Sequence, residues 1–375
     1  MEDAGDIEKS GAVLTPFPFS GLRGFADDHL LSAFATFKRS SLRMLSSHPV
    51  LRQAHSPHAG LHDVCAAASG ATISSNEEAR DFFQHHFRAF RIGAIGKETG
   101  FLTGYYEPVV DASPQRNAAF AEPVYGLPPD LFSLPLEDRR GSDDLSGGFF
   151  QEGILKPYPD RAAIYAGALH GRAPVLMWLR DKIELFMIQV QGSARVRLPD
   201  KTIGRLVYAG RNGRPYSSIG RKLIEIGAVK SAEMSLENLK AWVRQAGQHD
   251  GAPGRCLLET NASYVFFDFQ PMHNSDDGPI GGEGVPLTEL RSIAVDRHIW
   301  SYGLPFWVDA RLPWEESKPT SFSRLMIAQD TGSAILGPSR LDLYFGSGDR
   351  AGSLAGRIRH DADVFVLLPR RGTSA

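Results

Sequence analysis

Five short runs in the last third of the chain limit what it can fold into: SYVFF (263–267), LPFWVDA (304–310), RLMIAQD (324–330), LDLYFG (341–346) and DVFVLL (363–368). Each is rich in β-branched and aromatic residues, and glycine- or proline-containing stretches separate them. Runs this short, without helical spacing, form strands. A set of them with no long amphipathic segment between points to a small closed barrel. The reading is therefore mainly β, with helices confined to the N-terminal part and a few short segments.

The helices have their own signals. Leu30, Phe34, Phe37 and Met44 approximate one helical face. Ser75 followed by Glu78 forms a capping box, and Phe83, Phe87 and Phe90 continue it at helical spacing. Shorter helices open at Ser217 or Ser218 and at Ser235; the second carries Leu236, Leu239 and Trp242 and stops at Gly247. Residues 1 to about 25 form a loose polar arm, and 127–151 a surface insertion of low order. From about 100 to 210 the expectation is strands and loops. The strand 187–198, MIQVQGSARVRL, alternates: Gln189, Gln191, Arg195 and Arg197 on one face, Ile188, Val190, Ala194, Val196 and Leu198 on the other.

Bulk properties exclude some functions. A chain of 375 residues suits two domains. A net charge of -2 argues against a nucleic-acid partner held by bulk charge. No apolar run reaches the length of a membrane span, and the first residues, MEDAGDIEKSGAVLTPFPF, lack the basic and apolar regions of a secretory leader. Cys65 and Cys256 lie far apart and leave one disulfide open. His85 and His86 are helix neighbours that cannot share a metal, and His55, His58, His62 and His170 have no ligand spacing, so neither metal nor other cofactor is expected.

The carboxylates are the informative groups. Asp330-Thr331-Gly332 is the tripeptide of aspartic proteases, but a pepsin-type dyad needs a second such loop, and the chain has none. Asp296, Asp330 and Asp342 each stand at the end of, or inside, an apolar run. A charge in such a place is costly unless paired or functional. Three together suggest a network with one working member. The 187–198 face, with its amides and guanidinium groups, is either a solvated strand face or the floor of a groove for a glycan chain. In TGYYEP (103–108) at most one of Tyr105 and Tyr106 can face a site, because strand neighbours alternate; aromatic rings suit the apolar faces of sugars.

Six segments carry a family resemblance: GYYEP; MIQVQGSARVRLPD; VYAGRNGRPYSSIGRKLIEIG; NASYVFF; GVPLTELRSIAVDRHIWSYGLPFWV; and AQDTGSAILGPSRLDLYFGSGDRAGSLAGR. In this order, over 104 to about 368, the chain resembles the membrane-bound lytic murein transglycosylase A family. The resemblance implies a six-stranded double-psi β-barrel named for three aspartates, here Asp296, Asp330 and Asp342, with a second β-domain inserted and a cleft between them. The implied division is 1–105 (arm and helices, part of the barrel domain), 106–262 (insertion) and 263–375 (barrel). Asp342 is implied to be the catalytic acid, supported by Asp330 and Asp296. Gln189, Gln191 and Arg195 would bind the glycan, with Tyr106 as ring platform, and apolar neighbours such as Leu341, Leu343 and Phe345, or a nearby second aspartate, would keep Asp342 protonated. The implied activity is cleavage of peptidoglycan glycan strands to 1,6-anhydromuramyl products by a monomer working in a cell-wall enzyme complex. The implied place is the periplasm or the periplasmic face of the outer membrane, although family members carry a secretion signal, often with a lipid-attachment cysteine, and neither is visible here. A hydrolase would instead need a second carboxylate, for which Glu107 is the candidate, and an expansin-like binding barrel would tolerate loss of Asp342.

Overall fold

The computed structural model describes residues 11–94, 99–134, 146–272 and 277–370. The chain divides into two compact units, one of Met1–Tyr106, Ile280–Gly346 and Leu354–Ala375, the other of Glu107–Pro279 and Ser347–Ser353.

In the first unit the chain runs through β1 (Ala12–Phe17), α1 (Leu30–Met44), α2 (Leu61–Gly70), α3 (Asn76–His86), β2 (Phe87–Ala94) and β3 (Gly100–Glu107). The second unit contributes β4 (Val109–Asp111), β5 (Glu122–Tyr125), β6 (Phe132–Ser133), β7 (Gly147–Gln151), β8 (Ile154–Pro157), α4 (Arg161–Tyr165), β9 (Val175–Leu179), α5 (Lys182–Gln191), β10 (Ser193–Arg197), β11 (Ile203–Arg211), α6 (Ile219–Glu225), α7 (Leu236–Gln245), α8 (Pro253–Glu259) and β12 (Val265–Pro271). The chain then completes the first unit with β13 (Ser292–Ala294), β14 (Pro305–Leu312), β15 (Thr320–Asp330) and β16 (Arg340–Ser347), and ends in α9 (Asp349–Ala355) and β17 (Arg359–Pro369).

Six strands close on themselves in the order β17-β14-β15-β13-β16-β3, with β3 pairing back onto β17. The 11 residues of β17 make this closure. Asp309↔Asp363 through Phe306↔Val366 joins it to β14, and Arg359↔Thr103 through Ala362↔Gly100 joins it to β3. Its C-terminal half carries β2, and β2 carries β1. Closure leaves the ring without free edges. Ile293, Phe306, Val308, Leu325, Met326, Ile327, Leu341, Leu343 and Val366 are fully buried. β15 is buried over Leu325–Gln329 without alternation because α1 packs against it. That helix uses Leu30, Ala33, Phe34 and Phe37, as its spacing predicts.

The capping box at Ser75 is present, but the helix stops at His86. Phe87 takes extended backbone and opens β2, so Phe87 and Phe90 belong to a strand, not to the predicted helical face. β1 likewise corrects the loose arm: Ala12–Phe17 is held along its length by β2, while residues 1–10 lie outside the described ones. The expected low-order insertion of 127–151 contains β6 and β7, paired to each other and to β8; its middle, 135–145, lies outside the described residues.

In the second unit β12, β11, β10 and β4 form a sheet whose only parallel pair is β10 with β4. SYVFF therefore leads into β12 beside β11 and not into the barrel, and the unit extends to Pro279, past the predicted boundary at 262. The predicted strand over 187–198 is a strand only from Ser193. Before that it is helix, capped by Asp181, which accepts from the Glu184 N–H, and closed by Gly192 at φ +81°. Ile183, Leu185, Phe186, Met187, Ile188 and Gln189 are all buried, so this helix shows no polar face and its period is hidden. The helices capped by Ser218 and Ser235 form as expected. No described helix is long and apolar enough to cross a membrane. Cys65 is buried, Cys256 exposed, and both are free thiols.

A buried ion pair fastens the N-terminal segment to the barrel. Arg291 donates to both oxygens of Asp28, at 2.8 and 2.7 Å, and to the carbonyl of Leu325, while the Leu325 N–H donates to Asp28. Removing one partner strands the other charge. Arg291→Leu is expected to lower unfolding free energy by about 3–5 kcal/mol, with part of the loss recovered in the Asp28→Leu/Arg291→Leu double variant. Equilibrium denaturation of the set checks this; an unchanged single variant contradicts it.

Candidate active site

The three aspartates all lie in the barrel unit, and their surroundings differ. Asp296 follows β13 and is 5% exposed. One of its oxygens accepts the His298 N–H at 3.0 Å and the other the Gly337 N–H at 2.7 Å. Gly337 has φ +110°, a conformation that favours glycine. Asp296 is thus fully engaged in joining two loops. Asp330 ends β15 and accepts the N–H groups of Gly282 and Thr331, each at 2.8 Å, with Arg52 at 3.9 Å.

Asp342 has only one hydrogen bond described to its carboxyl. It lies opposite Ala294 in the β13–β16 pair and accepts from the Thr103 hydroxyl at 2.6 Å. The Thr103 oxygen in turn accepts from Arg340 Nη2 at 2.7 Å. Arg340 and Asp342 are two apart on β16, so both point to this face. Burial pushes the Asp342 pKa up to about 6, the Thr103 hydrogen bond and then Arg340 oppose it, and the nearby charge of Asp330 adds to the rise. The result is a carboxyl poised to exchange its proton near neutral pH.

Leu341, Leu343 and Phe345 do not supply this effect as expected. They are buried on the alternate face of the strand. The aspartate's own face holds Tyr344, and the ring against Tyr344 is Tyr105, with centroids 5.4 Å apart. Tyr105, not Tyr106, shares a face of β3 with Thr103 and lies within electrostatic reach of Asp330 and Asp342. Tyr106 is 5% exposed and, by strand alternation, projects from the face opposite to that of Thr103 and Tyr105.

The predicted glycan-binding side chains do not converge either. Gln189, on α5, is buried and bonded to Arg161 and the Val265 carbonyl. Arg161 is itself enclosed by Tyr165, Phe186 and Tyr264. Gln191 ends the helix and is half-buried. Arg195, on β10, donates to Glu107 at 2.6 Å, and Arg205 donates to the other oxygen at 2.6 Å. Ser347 adds a third donor at 2.7 Å. Glu107 is 0% exposed; so enclosed and so fully bonded, it is not free to serve as the second carboxylate of a hydrolase. Thr103 and Arg340 are the functional neighbours that sequence reasoning missed. Arg340 had a local signal, its two-residue spacing from Asp342, and Thr103 had none. Among the described residues no three His, Cys, Asp or Glu side chains group as metal ligands.

With this geometry in hand, comparison with known proteins is decisive. Residues 101–268 match the MltA specific insert domain and residues 291–368 the 3D domain. A membrane-bound lytic murein transglycosylase A of Vibrio cholerae is 36% identical over 292 residues, 76% of this chain and 70% of that one. The chain belongs to the membrane-bound lytic murein transglycosylase A family. The solved Agrobacterium tumefaciens membrane-bound lytic murein transglycosylase superposes with a TM-score of 0.84 at 34% identity, covering 95% of this chain and 98% of that one. Escherichia coli MltA with bound chitohexaose gives 0.66 at 28% identity, covering 96% and 92%.

The raised pKa of Asp342 has a thermodynamic consequence. The folded value lies above the unfolded one, so the native state holds its proton longer and loses stability as pH rises from about 4 to about 6. Above that window the ionised, buried carboxylate costs about 2–3 kcal/mol. Asp342→Asn is therefore expected to melt higher than wild type at pH 7–8, with the difference vanishing near pH 4. Asp296→Ala should melt lower at both. Thermal melts across pH decide it; an Asp342→Asn protein less stable than wild type at pH 8 contradicts the assignment.

Proposed function

We propose that this protein is a lytic transglycosylase of peptidoglycan, cleaving the β-1,4 bond between N-acetylmuramic acid and N-acetylglucosamine, and that Asp342 acts first as acid and then as base. The observation that carries the reading is the Asp342 carboxyl, whose pKa is raised to about 6 and which has one described hydrogen bond, from a hydroxyl. The other two of the three aspartates are held by backbone: Asp330 by two N–H groups and Asp296 by two more. Family membership supports the substrate class, as does the relative solved with bound chitohexaose.

One carboxyl suffices if the substrate supplies its own nucleophile. Asp342 gives its proton to the glycosidic oxygen as the C1–O bond breaks. The C6 hydroxyl oxygen of the same muramic residue bonds to C1, and its proton passes to the Asp342 carboxylate. The anhydro ring forms, no water is consumed, and Asp342 ends protonated as it began. Closure within one residue supplies the high effective concentration of an intramolecular step. A hydrolase normally employs a second carboxylate to activate water. A peptidoglycan substrate fits a location in the cell envelope, as does family membership.

Mass analysis of fragments released from purified peptidoglycan tests the reaction. Anhydromuramyl products, lighter by one water than reducing-end products, are expected; reducing ends mean hydrolysis. Asp342→Asn should retain glycan binding and lose activity by about 100- to 10,000-fold or more. Near-normal turnover would falsify the role of Asp342. Activity should survive a strong chelator, and loss restored by zinc or calcium would reveal a metal site.

A further inference from the structure

Tyr105 carries a buried hydroxyl with no hydrogen-bond partner among the described residues. Its residue is 9% exposed, in a small cluster with Leu287, Ala294, Ile335 and Tyr344. A buried hydroxyl without a partner costs stability, and in native proteins such a group calls for an explanation. Three facts locate this one. Tyr105 is two residues beyond Thr103 on β3, so it projects from the same face as the hydroxyl bonded to Asp342. Its ring packs on Tyr344, two residues beyond Asp342 on β16. Apart from Asp330, Asp342 and Tyr344 its surroundings are apolar, and its own ionisation is strongly opposed, first by burial, then by the charges of Asp330 and Asp342, and last by the direct approach of its hydroxyl to Asp330.

The geometry points to Tyr105 as a positioning residue whose O–H group is held for the state in which both Asp330 and Asp342 are ionised. That state arises midway through the proposed reaction, on which this inference rests, once Asp342 has given its proton to the glycosidic oxygen. Two neighbouring carboxylates then share one enclosed site, where like charges disfavour each other. A neutral phenol keeps its proton there and donates a hydrogen bond to the pair. No atom is transferred: the O–H turns toward the carboxylates when the second charge appears and is released when Asp342 takes the C6 hydroxyl proton. The other groups facing the pair already have set roles. Arg52 faces Asp330, and Arg340 reaches Asp342 through Thr103. Tyr302, a second buried hydroxyl without a described partner, lies in the field of Asp330, Arg52, Arg297 and Glu283.

The pair titrates as a unit, so a donor to its doubly ionised form lowers its upper apparent pKa. Tyr105→Phe removes only the oxygen. The expected results are a fall in kcat of about tenfold or more, an alkaline limb of the kcat–pH profile moved upward by about one pH unit, and an unchanged KM for glycan. The melting temperature should be unchanged or higher, since a hydroxyl without a partner is lost. Wild-type kcat with an unmoved limb overturns the inference, as does a Tyr302→Phe variant that moves the limb equally. If wild-type products carry reducing ends, the transglycosylase reading fails instead, and product mass separates the two failures. Tyr105→Leu, which also loses the ring, should match Tyr105→Phe in pH profile while melting lower; a limb moved only in the leucine variant means that packing alone is at work.

Discussion

Closure of the barrel by the strand Gly100–Glu107 is the constraint on which the candidate site depends. This strand pairs with the last strand at Arg359↔Thr103 and also neighbours the one that carries Asp342. Thr103 is therefore fixed by a backbone ladder before its hydroxyl meets the carboxyl at 2.6 Å. The fit is tight: a side chain at Gly104 would meet the Ala355 backbone at 2.8 Å, and one at Gly100 the Ser339 carbonyl at 2.6 Å. Small residues at these positions let the strand close the ring. A site assembled on paired strands holds its geometry better than one assembled on loops.

Closure also explains the division of labour among the acids. Aspartates at strand ends meet the exposed N–H groups of turns, and Asp296 and Asp330 do so. An aspartate within a strand has its backbone partners used by the ladder, so its carboxyl depends on side chains alone. Asp342 finds one hydroxyl, itself loaded by Arg340. The loss of solvent outweighs that single bond, and the pKa moves up to about 6. Glu107 differs in its partners. It is the more buried of the two, and two guanidinium groups and a hydroxyl donate to it.

The barrel was legible from composition and punctuation because its strands are short, β-branched and bounded by glycine or proline. Asp342 was legible as an aspartate inside an apolar run. Two kinds of feature were not. The helix Lys182–Gln191 is buried on nearly every side, so it lacks the polar stripe that reveals a helical period; Asp181 and Gly192 were its only markers. Thr103, whose hydroxyl meets Asp342, lies 239 residues earlier in the chain, and no local pattern announces such a pairing. The choice between Tyr105 and Tyr106 turned on strand register, which alternation narrows to one of two but does not select.

The central claim is that Asp342 is a carboxyl whose pKa is raised to about 6, chiefly by its enclosure and to a smaller extent by the charge of Asp330. The most direct measurement is titration of its side-chain carbon by NMR in aspartate-labelled protein, assigned through Asp342→Asn. The account predicts a midpoint near 6 that falls only modestly when Asp330 is replaced by Asn, because burial is the larger cause of the rise. A midpoint near 4 in the wild type would contradict it.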